Sequence, residues 1–314
     1  MNVVFMGTPD FAAGILKAVA DAGYRITGVV AQPDRPRGRK MEIQPGPVRT
    51  VAEKLGIPVF QPEKVRDEAA VERIRGMEPD LIIVAAFGQI IPPSILTMPV
   101  HGCINVHASL LPAYRGAAPI QHAILDGCSV TGVTIMRMNE GLDTGDIITQ
   151  REVPITEETT GGSLFTELAE TGAQLLLDTI PSIADGTSQY TPQPAESTTH
   201  YASLIRKETG RIDWSDDAVN IERMTRAMNP WPSAWTVLDG KVLKIWKAHV
   251  EKREAQGDAE TVGKIVRQDA RGLYIQTGCG ILVPEELQLE GRRRMSAAEF
   301  LRGYTVRNNR LGGN

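Results

Sequence analysis

Apolar and polar positions in the first half of the chain follow two alternating rhythms. Residues 80–86 (DLIIVAA) are apolar almost throughout, as expected of a strand covered on both faces, and further strand-like runs stand near 3–6, 26–31 and 103–107. Between the first two, Phe11, Ile15, Leu16 and Val19 recur at helical spacing. Asp10 is placed to cap that helix and Gly23 to end it. This β-α-β rhythm predicts an α/β domain with a Rossmann-like, doubly wound parallel sheet. A long helix is expected over 162–183, with Leu164, Leu168, Leu175 and Leu176 on its apolar side. Residues 185–200 are rich in Ser, Thr, Pro and Gln and read as a linker. Beyond it the pattern changes. A helix over 217–228 is broken by Asn229-Pro230-Trp231-Pro232, and short strand-like runs follow at 234–238, 243–248, 263–266, 273–276 and 281–283. Five short strands separated by Gly turns predict a small β-barrel. The expected organisation is a catalytic domain over 1–184, a linker over 185–205 and a barrel domain over 206–314.

Length and composition fit that division. A chain of 314 residues with 42% apolar and 23% charged residues is an ordinary globular protein of about two domains. Its net charge of -4 is unevenly spread. Residues 1–205 carry 15 Lys and Arg against 23 Asp and Glu, whereas 206–314 carry 19 against 15. The basic C-terminal third fits a phosphate-bearing partner or an uneven scatter of surface charge. The cysteines Cys103, Cys128 and Cys279 form neither a disulfide framework nor a zinc pattern, so a reducing compartment and no metal are expected. No signal-peptide pattern precedes the first strand, and no apolar run reaches membrane-spanning length, which points to a cytoplasmic protein.

One loop stands out. Residues 32–45 (QPDRPRGRKMEIQP) are too broken by Pro and Gly for a helix and exceed the usual βα connection. They carry Arg35, Arg37, Arg39 and Lys40. These charges suit contact with phosphates, or are a solvated loop with no specific role.

The candidate chemistry lies in Asn105-Val106-His107 and the following Ala108–Gly116. Side chains two apart on a strand leave the same face, so Asn105 and His107 project together at the carboxyl end of the sheet, where open α/β folds bind ligands. A second segment, Glu140-Gly141-Leu142-Asp143-Thr144-Gly145-Asp146, has glycines that permit a sharp turn, and Asp143 is the candidate to meet His107. An amide, an imidazole and a carboxylate without a nucleophilic Cys, a metal cluster or a Walker lysine suit direct acyl transfer to an amine. Asn105 would donate to the oxyanion, protonated His107 would add charge, and Asp143 would orient His107 and assist proton transfer. A strand-end Asn and His also occur simply as hydrogen-bonded structural groups.

These segments resemble the formyl-tetrahydrofolate-dependent transferases. The Asn-x-His pattern followed by Ser-Leu-Leu-Pro-x-Tyr-Arg-Gly stands at 105–116, and Leu-Asp-x-Gly stands at 142–145. The resemblance implies a catalytic trio of Asn105, His107 and Asp143, with 10-formyltetrahydrofolate as formyl donor and no metal. It implies a folate site lined by Ser109, Leu110, Leu111 and Pro112, and a pterin-holding strip at Phe87, Gly88, Gln89 and Ile90. Gly7-Thr8-Pro9-Asp10-Phe11, Gln32-Pro33-Asp34-Arg35-Pro36, Ile212-Asp213-Trp214 and Asn229-Pro230-Trp231-Pro232 resemble the members that act on initiator methionyl-tRNA. That implies an OB-like C-terminal barrel, entry of the basic loop (Arg35, Arg37, Arg39, Lys40) at the tRNA acceptor end, and Phe11 near the methionyl side chain. Arg206, Lys207, Lys244 and Lys247 would then face tRNA. Met41 and Glu42 depart from the more basic loop of that group. The Trp residues are expected mainly in core packing, and the remaining histidines as structural. Nothing demands more than a monomer. The rival readings are a formyltransferase for an amino-sugar nucleotide, a formyl-folate hydrolase, and a non-catalytic RNA-binding protein.

Overall fold

The computed structural model describes residues 1–37 and 42–312; the side chains of Arg37, Glu42 and 252–255 are also outside the description. By contact the chain forms two compact units. The first comprises Met1–Pro119, Val130–Pro154 and Phe165–Ala202, and the second Ile120–Ser129, Ile155–Leu164 and the chain from Ser203 onward.

In chain order the elements through the first half are β1 (Asn2–Gly7), α1 (Asp10–Asp21), β2 (Arg25–Val30), β3 (Arg35–Arg37), β4 (Glu42–Gln44), α2 (Pro47–Lys54), β5 (Val59–Phe60), α3 (Glu68–Arg75), β6 (Leu81–Ala85) and α4 (Pro93–Leu96). They continue with β7 (Cys103–His107), α5 (Pro119–Leu125), β8 (Val130–Arg137), β9 (Ile147–Pro154) and α6 (Gly161–Ala184).

The first unit is built on a seven-stranded sheet of order β5-β2-β1-β6-β7-β8-β9. Pairing is parallel from β5 to β7, and β8 and β9 add an antiparallel edge. The β6 sequence Leu81-Ile82-Ile83-Val84-Ala85 is buried at every position, because both faces of a central parallel strand are covered. Strand order reverses between β1 and β6, the kind of switch point at whose carboxyl strand ends open α/β folds bind ligands. Thr8, just past β1, donates its hydroxyl to the Phe87 carbonyl just past β6 (3.2 Å), joining the two lips of that switch point.

Helix α1 turns its buried face, with Phe11, Ile15, Leu16 and Val19, toward the core as the periodicity predicts. Its N-cap is Pro9, with no side-chain cap, and Asp10 is the first helical residue. Asp10 therefore contributes charge to the helix N-terminus rather than a cap hydrogen bond. The expected loop over 32–45 contains a short antiparallel hairpin, β3 with β4. Its base is tied by Asp34, which accepts from the Gly46 amide (3.0 Å) and the Gln61 side chain (3.0 Å) and pairs with Arg49.

From Ser203 onward the elements are a 3-10 turn (Lys207–Gly210), α7 (Ala218–Ala227), β10 (Ala234–Leu238), β11 (Lys241–Gln256), β12 (Ile265–Gln268), β13 (Leu273–Gln276), β14 (Cys279–Leu289), β15 (Met295–Ser296) and α8 (Ala297–Gly303). The strands form an antiparallel sheet of order β10-β11-β14-β13-β12, with β15 on β14. Four register shifts along β11 and β14 bend these long strands, as bulges do. The core holds Ile212, Trp214, Ile221, Leu243, Ile275 and Leu287, and α8 adds Phe300. Trp214 is in this core, as expected, and donates to Thr236 Oγ1 (3.0 Å). Trp231 is exposed. No described helix is long and apolar enough to cross a membrane.

Candidate active site

Strand β7 ends at His107, and Asn105 lies two residues earlier on the same face. His107 is 6% exposed and Asn105 9%. The His107 Nε2 lies 3.1 Å from the Tyr114 carbonyl. A carbonyl can only accept, so Nε2 carries the proton in this contact. Nδ1 then faces Asp143 Oδ1 across 3.8 Å. The second proton of an imidazolium would sit between ring and carboxylate.

Asp143 reaches that position through its loop. Its φ is +53°, in the left-handed region, and its Oδ2 accepts from the Gly116 amide at 2.9 Å. Gly116, at φ +128°, gives the neighbouring loop a backbone that few other residues adopt. Gly145 is required for a different reason. A Cβ there would lie 1.7 Å from the Arg137 carbonyl oxygen. One carboxylate thus contacts both the imidazole and the 112–116 loop.

Among the described residues the Asn105 side chain makes no hydrogen bond within the protein, yet no buried side-chain polar atom lacks a partner. Its amide atoms therefore keep some contact with solvent. Cys103, on the same strand, is not an alternative nucleophile. Burial pushes its thiol up to about 12, against a smaller opposing effect of the Arg137 charge.

The Ser109–Pro112 segment is pinned from below. Thr134 Oγ1 donates to the Ser109 carbonyl (2.7 Å) and accepts from the Leu111 amide (3.0 Å), while Gln150 donates to the Leu111 carbonyl (2.9 Å). Ser109 is fully buried and its hydroxyl donates to the Ala113 carbonyl (2.6 Å), so the side chain shapes the loop. Leu111 is buried, whereas Leu110 and Pro112 are half-buried. Across the switch point, Phe87 is buried, Gly88 has φ +79° and Ile90 is 85% exposed. The Gln89 side chain accepts from the Val65 amide (2.8 Å) and donates to the Pro62 carbonyl (3.2 Å). Phe11 is buried edge-on to Phe165, with centroids 5.8 Å apart.

Of the basic candidates, Arg35 is exposed on β3. Arg39 and Lys40, and the side chain of Arg37, lie outside the described residues. Within the second unit Arg206 and Lys207 are exposed, and Lys244 lies over the Trp246 ring (5.4 Å), which Arg294 also approaches (5.1 Å). Lys247 differs from the others. It donates to Glu158 (3.1 Å) and lies 3.7 Å from Glu285, and these carboxylates, Glu158 first, raise its ammonium above the usual lysine range. Its charge is already matched by acids, which weakens it as a phosphate contact. His249 is likewise paired, 2.7 Å from Glu285.

The residues missed by sequence reasoning are those holding the two loops together. Arg115, buried, donates to Gln193 Oε1 (2.9 Å), the Pro194 carbonyl (2.7 Å) and the Ala195 carbonyl (3.0 Å). The Tyr114 amide donates to Thr199 Oγ1 (2.7 Å), and Ser197 Oγ to the Pro112 carbonyl (2.6 Å). The stretch expected as a linker thus belongs to the first unit as far as Ala202. A buried arginine must find acceptors, and Arg115 inside an otherwise apolar motif was the available signal.

A formyl transferase family model matches residues 1–180, and a model for the formyl transferase C-terminal domain matches 204–305. A methionyl-tRNA formyltransferase of Agathobacter rectalis is 51% identical over 306 residues, covering 98% of this chain and 97% of its own. One of Lachnospira eligens is 49% identical, covering 96% of each. Among solved structures, the sugar 3N-formyl transferase WlaRD, crystallised with dTDP and 5-N-formyl-THF, superposes with a TM-score of 0.64 at 17% identity, covering 93% of this chain and 99% of its own. HypX from Aquifex aeolicus, in complex with tetrahydrofolic acid, gives 0.62 at 19% identity, covering 95% of this chain and 46% of that longer one. These two share the fold. With both domain models matched and curated relatives about half identical along nearly the whole length, the chain belongs to the methionyl-tRNA formyltransferase family.

Proposed function

We propose that this protein transfers the formyl group of 10-formyltetrahydrofolate to the free amino group of initiator methionyl-tRNA, giving N-formylmethionyl-tRNA for translation initiation in the cytoplasm. The observation that carries the reading is the His107 ring facing the Asp143 carboxylate at the end of β7, with Asn105 two residues earlier on the same strand face, inside a chain of this family. In this reading the formyl-folate-binding catalytic domain expected over 1–184 extends to Ala202, and 206–314 binds tRNA. All three side chains come from one chain, so a monomer suffices.

The donor supplies an activated formyl carbon. The Asn105 amide donates to the oxygen that becomes negative as the amine adds, and an imidazolium at His107 contributes charge to the same oxyanion. Asp143 holds that ring, with Nε2 fixed by the Tyr114 carbonyl, accepts the amine proton directly or through water, and returns it to the donor's folate nitrogen as the bond from that nitrogen to the formyl carbon breaks and the carbonyl re-forms. The reference α-amino pKa of about 7.7–8.0 leaves free base near neutrality, so modest proton assistance suffices. With Cys103 buried and its thiol raised, no thiolate competes on this strand, and in this reading the amine attacks the formyl carbon directly, without a covalent enzyme intermediate. The folate occupies the crevice between the 87–90 strip and the 109–112 loop. Arg35, Arg37, Arg39 and Lys40 contact the acceptor end of tRNA, and Phe11 lies by the methionyl side chain.

The test supplies the folate donor with methionyl-tRNA, an amino-sugar nucleotide, or buffer alone. Formylation of methionyl-tRNA alone supports the proposal. Formylation of the sugar, or folate consumption in buffer, would replace it with the transferase or hydrolase rival.

A further inference from the structure

The loop that presents Asp143 is held from behind by a residue of the polar stretch, Gln193. Its amide nitrogen donates to the carbonyls of Asp143 (3.0 Å) and Gly145 (2.6 Å), and its Oε1 accepts from Arg115 Nη2 (2.9 Å) and Nε (3.3 Å). Arg115 belongs to the loop whose Tyr114 carbonyl fixes His107 and whose Gly116 amide fixes Asp143. One neutral side chain therefore joins both loops of the candidate site. The segment carrying it is itself anchored at both ends. Thr191 pairs with Ile147 at the start of β9, and Ala202 pairs with Gly116.

We propose that Gln193 is a positioning residue for the reaction, a buckle that keeps Asp143 in its left-handed conformation opposite His107. The inference rests on the functional reading above, in which Asp143 is the working carboxylate. The chemistry specifies glutamine. Two carbonyls require a donor and a guanidinium requires an acceptor, and a carboxamide of this length supplies both. A left-handed φ at a non-glycine residue is costly and persists only where the surroundings impose it. Two carbonyl contacts on either side of Thr144 impose it here. A displacement of about 1 Å at a reacting group costs on the order of 10²-fold in rate.

The test compares Gln193→Met and Gln193→Glu with wild type, each also made with Asp143→Asn. Gln193→Glu retains the acceptor for buried Arg115, so it keeps the loop pair folded while repelling the two carbonyls. For both variants the expected result is a kcat lowered about 10- to 100-fold, with KM for methionyl-tRNA and folate donor within about twofold. In the Asp143→Asn background the same changes should alter kcat by less than about twofold, because they act through Asp143. Gln193→Glu within about threefold of wild type, or equal losses in both backgrounds, would overturn the proposal. A crystal structure of Gln193→Glu reads the Asp143 carboxylate independently of turnover. Displacement from His107 supports the buckle, and an unmoved carboxylate refutes it. A wild-type protein that formylates no methionyl-tRNA would defeat the functional reading, and the crystal structure would still decide the role of Gln193.

Discussion

Replacing Asp143 with Asn removes one charge and leaves nearly the same shape. The carboxylate lies 3.8 Å from His107 Nδ1, in a site where both side chains are largely buried. Opposite unit charges at that separation interact by about 4 kcal/mol at an effective dielectric of about 20. The asparagine dipole recovers part of this, so a loss of about 3–4 kcal/mol remains, equivalent to a rate effect on the order of 10²- to 10³-fold. The amide oxygen can still accept from the Gly116 amide, so the loop should hold and the melting temperature should change little. Rapid-quench single-turnover transfer of a labelled formyl group measures the chemical step, and tRNA binding is measured alongside. The expectation is a fall in the chemical rate of that size with tRNA affinity unchanged, the pattern of an interaction made in the transition state. A rate within about threefold of wild type would show that the Asp143 charge is not used, and the mechanism would have to be rebuilt around Asn105 and His107 alone.

Asn105→Ala removes the only proposed uncharged oxyanion donor and should lower kcat on the order of 10²- to 10³-fold, with the folate KM little changed in steady-state assays. Arg39→Ala should raise the KM for methionyl-tRNA and flatten its dependence on salt; kinetics that do not change across salt concentrations in either protein would contradict a phosphate contact. Asp34 supplies a pH test. Burial alone would raise its carboxyl, but hydrogen bonds from Gln61 and the Gly46 amide, together with the Arg49 charge, hold it below the ordinary range. A depressed folded-state pKa gives stability that is fully present above the unfolded value of about 3.9 and is lost as pH falls through the folded value. Urea melts should therefore show wild type losing more stability than Asp34→Asn between pH 6 and 3, with the difference near zero if Asp34 is not coupled to folding.

Legibility in the sequence followed physical cause. Strand β6 could be read because burial on both faces makes it continuously apolar, and helix α6 because four leucines keep one periodicity across it. Strand β11 was seen only near 243–248. Its extension to Gln256 is interrupted by register shifts and carries mostly polar residues. The short β15–α8 segment gave too little pattern to detect, although Phe300 is fully buried. At the site, Asn105, His107 and Asp143 stood out because their types fit a reaction and their spacing puts two of them on one strand face. Gln193 did not. A neutral amide in a Ser-, Thr- and Pro-rich stretch looks like linker, and its role exists only once two loops distant in sequence are brought within hydrogen-bond reach. The charge run at Arg292-Arg293-Arg294 is locally engaged, with Arg293 paired to Glu299 and Arg294 to Glu286.

The central claim is formyl transfer to the initiator, and the most direct measurement is the rate of formyl transfer from 10-formyltetrahydrofolate to methionyl initiator tRNA beside methionyl elongator tRNA. Rapid transfer to the initiator with little to the elongator is the predicted result. Equal rates on both would contradict initiator recognition, and no transfer to either while folate is consumed would contradict the assignment of the acceptor.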